Sequence, residues 1–142
     1  MTLVMTNIAA QQEPISDPAE AGELFDEEIE RPNADARYGQ SIYYGPVGAR
    51  GLHKERLHEE DDLRVDIDVE AGRAAVNWLV DGSYAVELPP EGPLTVWYSA
   101  DAAPVVVPAE KARVSVATAR RLVQEYVATG TRPSSIEWVT GE

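Results

Sequence analysis

Between Leu63 and Glu70 apolar and charged residues alternate without a break, with Leu63, Val65, Ile67 and Val69 on one side and Arg64, Asp66, Asp68 and Glu70 on the other. A period of two is that of a pleated strand, so the segment predicts a strand with one apolar and one wet face. Ala71-Gly72 turns the chain, and Ala74, Val76, Trp78 and Val80 form the next apolar row. Asp81-Gly82 follows. Glycine tolerates positive φ, which makes Asp-Gly a favoured two-residue hairpin loop, so Ser83 to Leu88 is predicted to pair back antiparallel. The run Pro89-Pro90-Glu91-Gly92-Pro93 breaks the pattern before Leu94, Val96 and Tyr98 alternate with Thr95 and Trp97 as a further strand. Pro104 to Pro108 brackets a short edge strand, and Ser41 to Tyr44 predicts a strand ahead of the turn-prone Gly45-Pro46-Val47-Gly48.

From Val114 the period changes. Val116, Ala119, Leu122, Val123, Tyr126 and Val127 recur at helical spacing behind Ser115, whose hydroxyl can accept from a backbone N–H left unpaired in the first turn. Gly130 suits the left-handed residue that closes a helix, and Pro133 lacks the N–H needed to continue one, so the helix is predicted to end near Thr129. Arg121 and Glu125, four residues apart on its wet side, are spaced to pair. Ile136 and Trp138 then alternate as a final short strand. Residues 1 to about 38 read as an acidic leader, with Glu13, Asp17, Glu20, Glu23, Asp26, Glu27, Glu28 and Glu30 all preceding the first basic residue, Arg31. Asp17-Pro18-Ala19-Glu20 is a helix start, and a short helix to about Glu30 follows; with only Leu24, Phe25 and Ile29 as larger apolar residues it docks weakly or stays mobile. The expectation is therefore a leader over 1–38 and one α+β domain over 39–142. In that domain an antiparallel meander sheet of four to six strands carries one long C-terminal amphipathic helix packed on one face, then a short strand.

Composition narrows the classes of partner. At 142 residues the chain fits one domain, which at this size buries roughly two thirds of the surface its unfolded chain exposes. It has no cysteine, so disulfides, thiolate metal sites and cysteine nucleophiles are excluded. Met1 to Gln12 has no basic flank and no long apolar run, which argues against a secretory signal, and no segment is apolar enough to span a bilayer; the expected location is the cytoplasm. The net charge of −13 argues against direct binding to nucleic acid or to anionic membranes, whose partners carry clustered Lys and Arg. Such a charge attracts a basic protein from a distance, or serves only solubility.

Signs of catalysis are weak. His53 and His58 lie near Glu59, Glu60, Asp61 and Asp62, but their spacing is wrong for two helical ligands and no companion motif accompanies them, so no metal site and no cofactor is expected. Gly45 to Gly51 lacks the Lys-Ser/Thr pair of a phosphate loop, and no Ser occupies a Gly-x-Ser-x-Gly context. Asp66 and Asp68 on an open strand have no pocket to separate their pKa values. The remaining candidates are surface features: the row Asp66, Asp68 and Glu70, the cluster Glu59, Glu60, Asp61 and Asp62, and the aromatic residues Trp97 and Tyr43. From the residues alone an ordinary solvated sheet face and an acidic loop is the favoured reading of the acids, and an edge-covering or core position explains Trp97 as well as a binding hot spot does.

Several stretches carry a further likeness: Ala74 to Leu79, Val96-Trp97-Tyr98, Val107-Pro108, Val114-Ser115, Ala119, Glu125-Tyr126, Thr129-Gly130-Thr131-Arg132-Pro133 and Ile136-Glu137-Trp138. Through them residues 63 to 138 resemble an immunity-protein family of bacterial polymorphic toxin loci that is associated with deaminase toxins. The resemblance implies a non-catalytic α+β protein that binds and neutralises a cognate toxin, a cytidine-deaminase-like enzyme acting on nucleic acid, by occluding its active-site cleft. On that reading Glu59, Glu60, Asp61, Asp62, Asp66, Asp68 and Glu70 steer association with a basic enzyme, and Trp97 or Tyr43 anchors it. The competing expectation is an acidic nucleic-acid mimic or secretion adaptor that binds another basic protein.

Overall fold

The computed structural model describes residues 3–30, 38–46, 61–99 and 102–140. Among these residues ten strands and two helices follow one another as β1 (Leu3–Thr6), β2 (Gln12–Ile15), α1 (Pro18–Glu30), β3 (Gly39–Pro46), β4 (Leu63–Asp68), β5 (Arg73–Trp78), β6 (Ser83–Val86), β7 (Leu94–Trp97), β8 (Val105–Val107), β9 (Val114–Ser115), α2 (Val116–Thr129) and β10 (Glu137–Thr140). The strands form a single open sheet, ordered β10-β6-β5-β4-β3-β1-β2, with β7 joined to the start of β3, β8 to β7, and β9 to β5. Pairing is antiparallel throughout except for the short parallel contact of β3 with β7, Gly39 opposite Val96 and Gln40 opposite Trp97. The α+β class, the long C-terminal helix and the final strand are those read from the sequence. The sheet exceeds the expected four to six strands partly because residues of the acidic segment enter it, β1 pairing with β3, Met5 opposite Tyr44, and β2 with β1, and partly because short segments such as β9, paired with β5, add to it.

Local chemistry explains both helices. Asp17 Oδ1 accepts the Glu20 N–H at 2.8 Å while Glu20 Oε1 accepts the Ser16 N–H at 2.7 Å, a reciprocal box that satisfies two free donors at the start of α1. Ser115 Oγ accepts the Thr118 N–H at 3.1 Å, and Gly130, at φ 74°, donates its N–H to Tyr126 O to close α2. Both helices lie on one sheet face, where Phe25, Ala21, Leu122, Val123 and Tyr126 pack with Leu3, Met5, Ile42, Tyr44, Leu63, Val65, Ile67 and Val76. The expectation that α1 docks weakly or stays mobile gives way to a buried helix: Phe25 is fully enclosed, and Arg120 of α2 holds Asp26 with two hydrogen bonds of 2.9 Å.

The expected tight Asp-Gly loop is longer. Trp78 pairs with Ser83, leaving the four-residue loop Leu79–Gly82, in which Gly82 at φ 76° donates to Trp78 O at 2.9 Å. Val69–Gly72 closes in the same way, Gly72 at φ 71° donating to Asp68 O at 3.0 Å. A left-handed glycine in the fourth place ends such loops as readily as it serves a two-residue turn. Val69 and Val80, assigned above to apolar strand rows, therefore sit in loops and are 49% and 68% exposed.

After Gly130 the chain latches onto α2. Glu125 accepts the Ser134 N–H at 2.9 Å and the Ser135 hydroxyl at 2.5 Å, so its carboxylate serves the latch, and Arg121 acts on it by charge alone in place of the predicted paired contact. Trp138 Nε1 donates to Pro133 O at 2.7 Å and the Arg132 guanidinium lies 5.3 Å from its ring. The Ser135 hydroxyl, against a smaller opposing effect of burial, lowers the Glu125 pKa. A depressed carboxylate pKa contributes stability above the unfolded value of about 4.3 and loses it as pH falls through the folded one. Acidification across that window is expected to weaken hydrogen-exchange protection of the Ser134 amide, and Glu125→Gln is expected to remove this pH dependence; equal pH dependence in both proteins would refute the latch.

Candidate functional site

The second face of the sheet was predicted to be wet, and its centre is not. The β7–β8 hairpin folds across it, so that Leu94, Val96 and Val107 pack on Ala75 and Ala112, with Tyr98 and Val105 at the margin. Where β3 meets β7, Gly39 lets β3 lie close against β4, because a Cβ there would collide with the Ile67 carbonyl. Under the margin lies a polar cluster whose members the register brings together: Tyr43 of β3 opposite Arg64 of β4, Ser41 opposite Asp66, and Arg64 opposite Asn77 of β5.

Asp66 is the centre of this cluster and is 0% exposed. Ser41 Oγ donates to its Oδ1 at 2.6 Å, Asn77 Nδ2 to its Oδ2 at 3.0 Å, and Arg64 Nε lies 3.1 Å from Oδ1 and 3.3 Å from Oδ2. Asn77 Nδ2 also reaches Arg64 O at 3.2 Å. The Arg64 guanidinium lies 4.8 Å from the Tyr98 ring centroid, a cation–π contact. Burial raises the Asp66 pKa against the lowering effects of Arg64 and of the Ser41 and Asn77 hydrogen bonds. Burial disfavours the Arg64 charge, but the Asp66 carboxylate outweighs it and leaves the Arg64 pKa raised. Burial also pushes the Tyr43 phenol up to about 12, Arg64 opposing and Asp66 adding, so it remains neutral near pH 7.

Of the described residues singled out from sequence, Tyr43 and Asp66 flank Arg64, while Asp62, Asp68 and Trp97 make their printed contacts elsewhere. The solvated position assigned to Asp66 is corrected: alternation put it on the second face, and the hairpin covers that face. Asp68 sits at the end of β4, where its Oδ1 accepts the Glu70 and Ala71 N–H groups at 3.1 and 3.3 Å, and Glu70 is exposed on the loop beyond. Asp62 turns to the helix side and accepts the Tyr126 hydroxyl at 2.8 Å, while half-buried Asp61 lies near enough to act by charge on both Tyr43 and Tyr126. Trp97 is half-buried with its ring 6.1 Å from that of Tyr38, and its Nε1 has no hydrogen-bond partner among the described residues. Glu59, Glu60, His53 and His58 lie outside the described residues, as does most of Gly45 to Gly51. Arg64, Tyr98, Ser41 and Asn77 escaped sequence reasoning. The available signal was that Arg64 is the only basic residue between Glu59 and Glu70. A strong acidic surface also arises elsewhere: Glu23, Glu27 and Glu30 are exposed on α1, a helix without a basic residue.

An acidic α+β protein is thus defined, with an open sheet backed by two helices on one face and closed in part by a hairpin on the other. Within that class the chain matches Immunity protein Imm1 over residues 9–140 and belongs to the Imm1 immunity-protein family. No curated protein matches it. The family match takes in α1 as well as the C-terminal region that carried the resemblance, and membership implies a cognate toxin as partner.

Proposed function

We propose that this immunity protein neutralises a nucleic-acid (cytidine) deaminase toxin in the cytoplasm by occluding its active-site cleft, with no chemistry of its own. The observation that carries the reading is the disposition of charge: a net charge of −13 with Glu23, Glu27 and Glu30 exposed along one helix and Glu70 exposed on a loop. An enzyme that acts on nucleic acid needs a basic substrate groove, and carboxylates can take the place of phosphates there. Asp61, Asp68, Glu70 and the α1 acids steer the encounter, with Glu59, Glu60 and Asp62 continuing the same sequence cluster. Trp97 with Tyr38, and Tyr43 through the Arg64 cluster, supply the anchor. Asp66 acts indirectly, by holding Arg64.

Co-expression with the toxin encoded beside this gene, scored by survival and co-purification, tests the reading; equal killing with and without the protein ends it. Steering has its own test. Reversing Glu23, Glu27, Glu30 and Glu70 to lysine is expected to slow association about tenfold at low salt and to flatten its salt dependence, with little change in dissociation. Unchanged association rates in stopped flow would remove these acids from the encounter.

A further inference from the structure

We infer that Arg64 is a preformed receptor for a carboxylate side chain of the toxin, so that this acidic protein reads one Asp or Glu on its basic partner. The inference rests on the immunity reading above and names the chemistry of one contact within it.

A guanidinium carries five N–H donors in a rigid fork. In Arg64 only Nε is engaged by a carboxylate, that of Asp66, and Nη1 and Nη2 have no acceptor among the described residues. Arg113 is likewise held through Nε, but by the Leu88 carbonyl and not by a carboxylate, whereas three other arginines use their terminal nitrogens internally. Arg73 places Nη1 on the Pro89 and Ala112 carbonyls and Nη2 on Glu91, Arg120 grips Asp26 through Nε and Nη2, and Arg132 places Nη1 on Asp81 and Ser83. The Arg64 side chain remains 22% exposed, enough for an incoming group to reach it.

Position and rigidity complete the receptor. Asp66, itself fixed by Ser41 and Asn77, holds the Nε edge, and the Tyr98 ring lies against the guanidinium. A side chain immobilised before binding loses less conformational entropy on association, and a terminal pair of Nη groups matches the two oxygens of a carboxylate. Charge makes the contact selective. On a protein with 25 acidic and 12 basic residues an acidic residue of the partner has few places to dock, and a guanidinium held rigid sets the register of the complex.

The test is a set of double-mutant cycles between Arg64→Gln or Arg64→Lys and Asp→Asn and Glu→Gln substitutions across the surface of the toxin domain encoded beside this gene, read as dissociation constants and off-rates. Arg64→Gln is expected to weaken binding at least about tenfold, chiefly through faster dissociation, with Arg64→Lys recovering only part. One toxin carboxylate is expected to cost the same alone and nothing further with Arg64→Gln. If Arg64→Gln melts early, the Arg64→Lys cycle carries the same comparison. Additivity with every carboxylate overturns the inference while leaving the immunity reading intact, and a change of oligomeric state on Arg64→Gln overturns it in favour of a second copy as occupant. Wild-type protein that fails to bind the toxin at all brings down both.

Discussion

Replacing Asp66 with alanine is expected to lower the unfolding free energy by about 3–5 kcal/mol, a large fraction of the roughly 5–15 kcal/mol that holds a domain folded. The loss is not that of one ion pair. Asp66 is fully buried and accepts from three residues, so its removal leaves the Ser41 hydroxyl without its acceptor, the Asn77 amide with backbone carbonyls alone, and the Arg64 charge without its counterion. Arg64 keeps some access to water, which places the effect toward the lower end of that range. Adding Arg64→Met to Asp66→Ala is expected to restore part of the loss, because apolar substitution of both partners of a buried pair is far less costly than removal of one, and only part, because the Ser41 hydroxyl stays unpaired. Urea denaturation of the two single variants and the double variant measures the cycle. An Asp66→Ala protein within about 1 kcal/mol of wild type would mean that this carboxylate is solvated after all.

What the sequence conveys about this fold tracks how local the cause is. The ends of α2 are written in neighbouring residues, Ser115 for one and Gly130 with Pro133 for the other, and both are where the spacing placed them. The alternation from Leu63 to Ile67 likewise assigns side chains to two faces, since a strand offers no other choice. It cannot say what lies on each face. Asp66 is buried by a hairpin that begins at Leu94, and that hairpin joins β3 where Val96 lies opposite Gly39, far away along the chain. Loop length was ambiguous for a different reason: one left-handed glycine serves a two-residue and a four-residue loop alike, and the pairing of Trp78 with Ser83 decides between them. The polar cluster shares this limit. Tyr43 and Asp66 stood out by type, but Arg64 acquires meaning only when Tyr98 closes over it and its Nη groups find no acceptor among the described residues.

Phe25→Ala is expected to cost about 3–5 kcal/mol although the residue belongs to the most acidic part of the chain. Acid count suggested a segment with little to bury, yet the ring is fully enclosed, in the same core as Ile15, Leu122 and Tyr126. Its seat is fixed on every side. Gly22 brings α1 close enough to α2 that an added Cβ would press on Arg120 and Gln124, and Gln124 Nε2 donates to Pro18 O at 3.0 Å. On the sheet side Gln40 Nε2 donates to Glu28 O at 3.1 Å, and Asn7 Nδ2 to Glu28 Oε1 at 3.3 Å. Such a site cannot collapse around a missing ring, which puts the cost in the upper part of the range for large-to-small changes. Glu27→Ala, two residues on but exposed, is expected to stay within about 0.5 kcal/mol of wild type, so the pair separates packing from charge in one helix. The same variants bear on toxin binding: Phe25→Ala is expected to slow association by unseating the carboxylates of α1, whereas Glu27→Ala removes one carboxylate and leaves the helix in place. If Phe25→Ala melts at the wild-type urea midpoint, α1 is dispensable to the fold, and the acidic face it presents is no longer a fixed surface for a basic enzyme to meet.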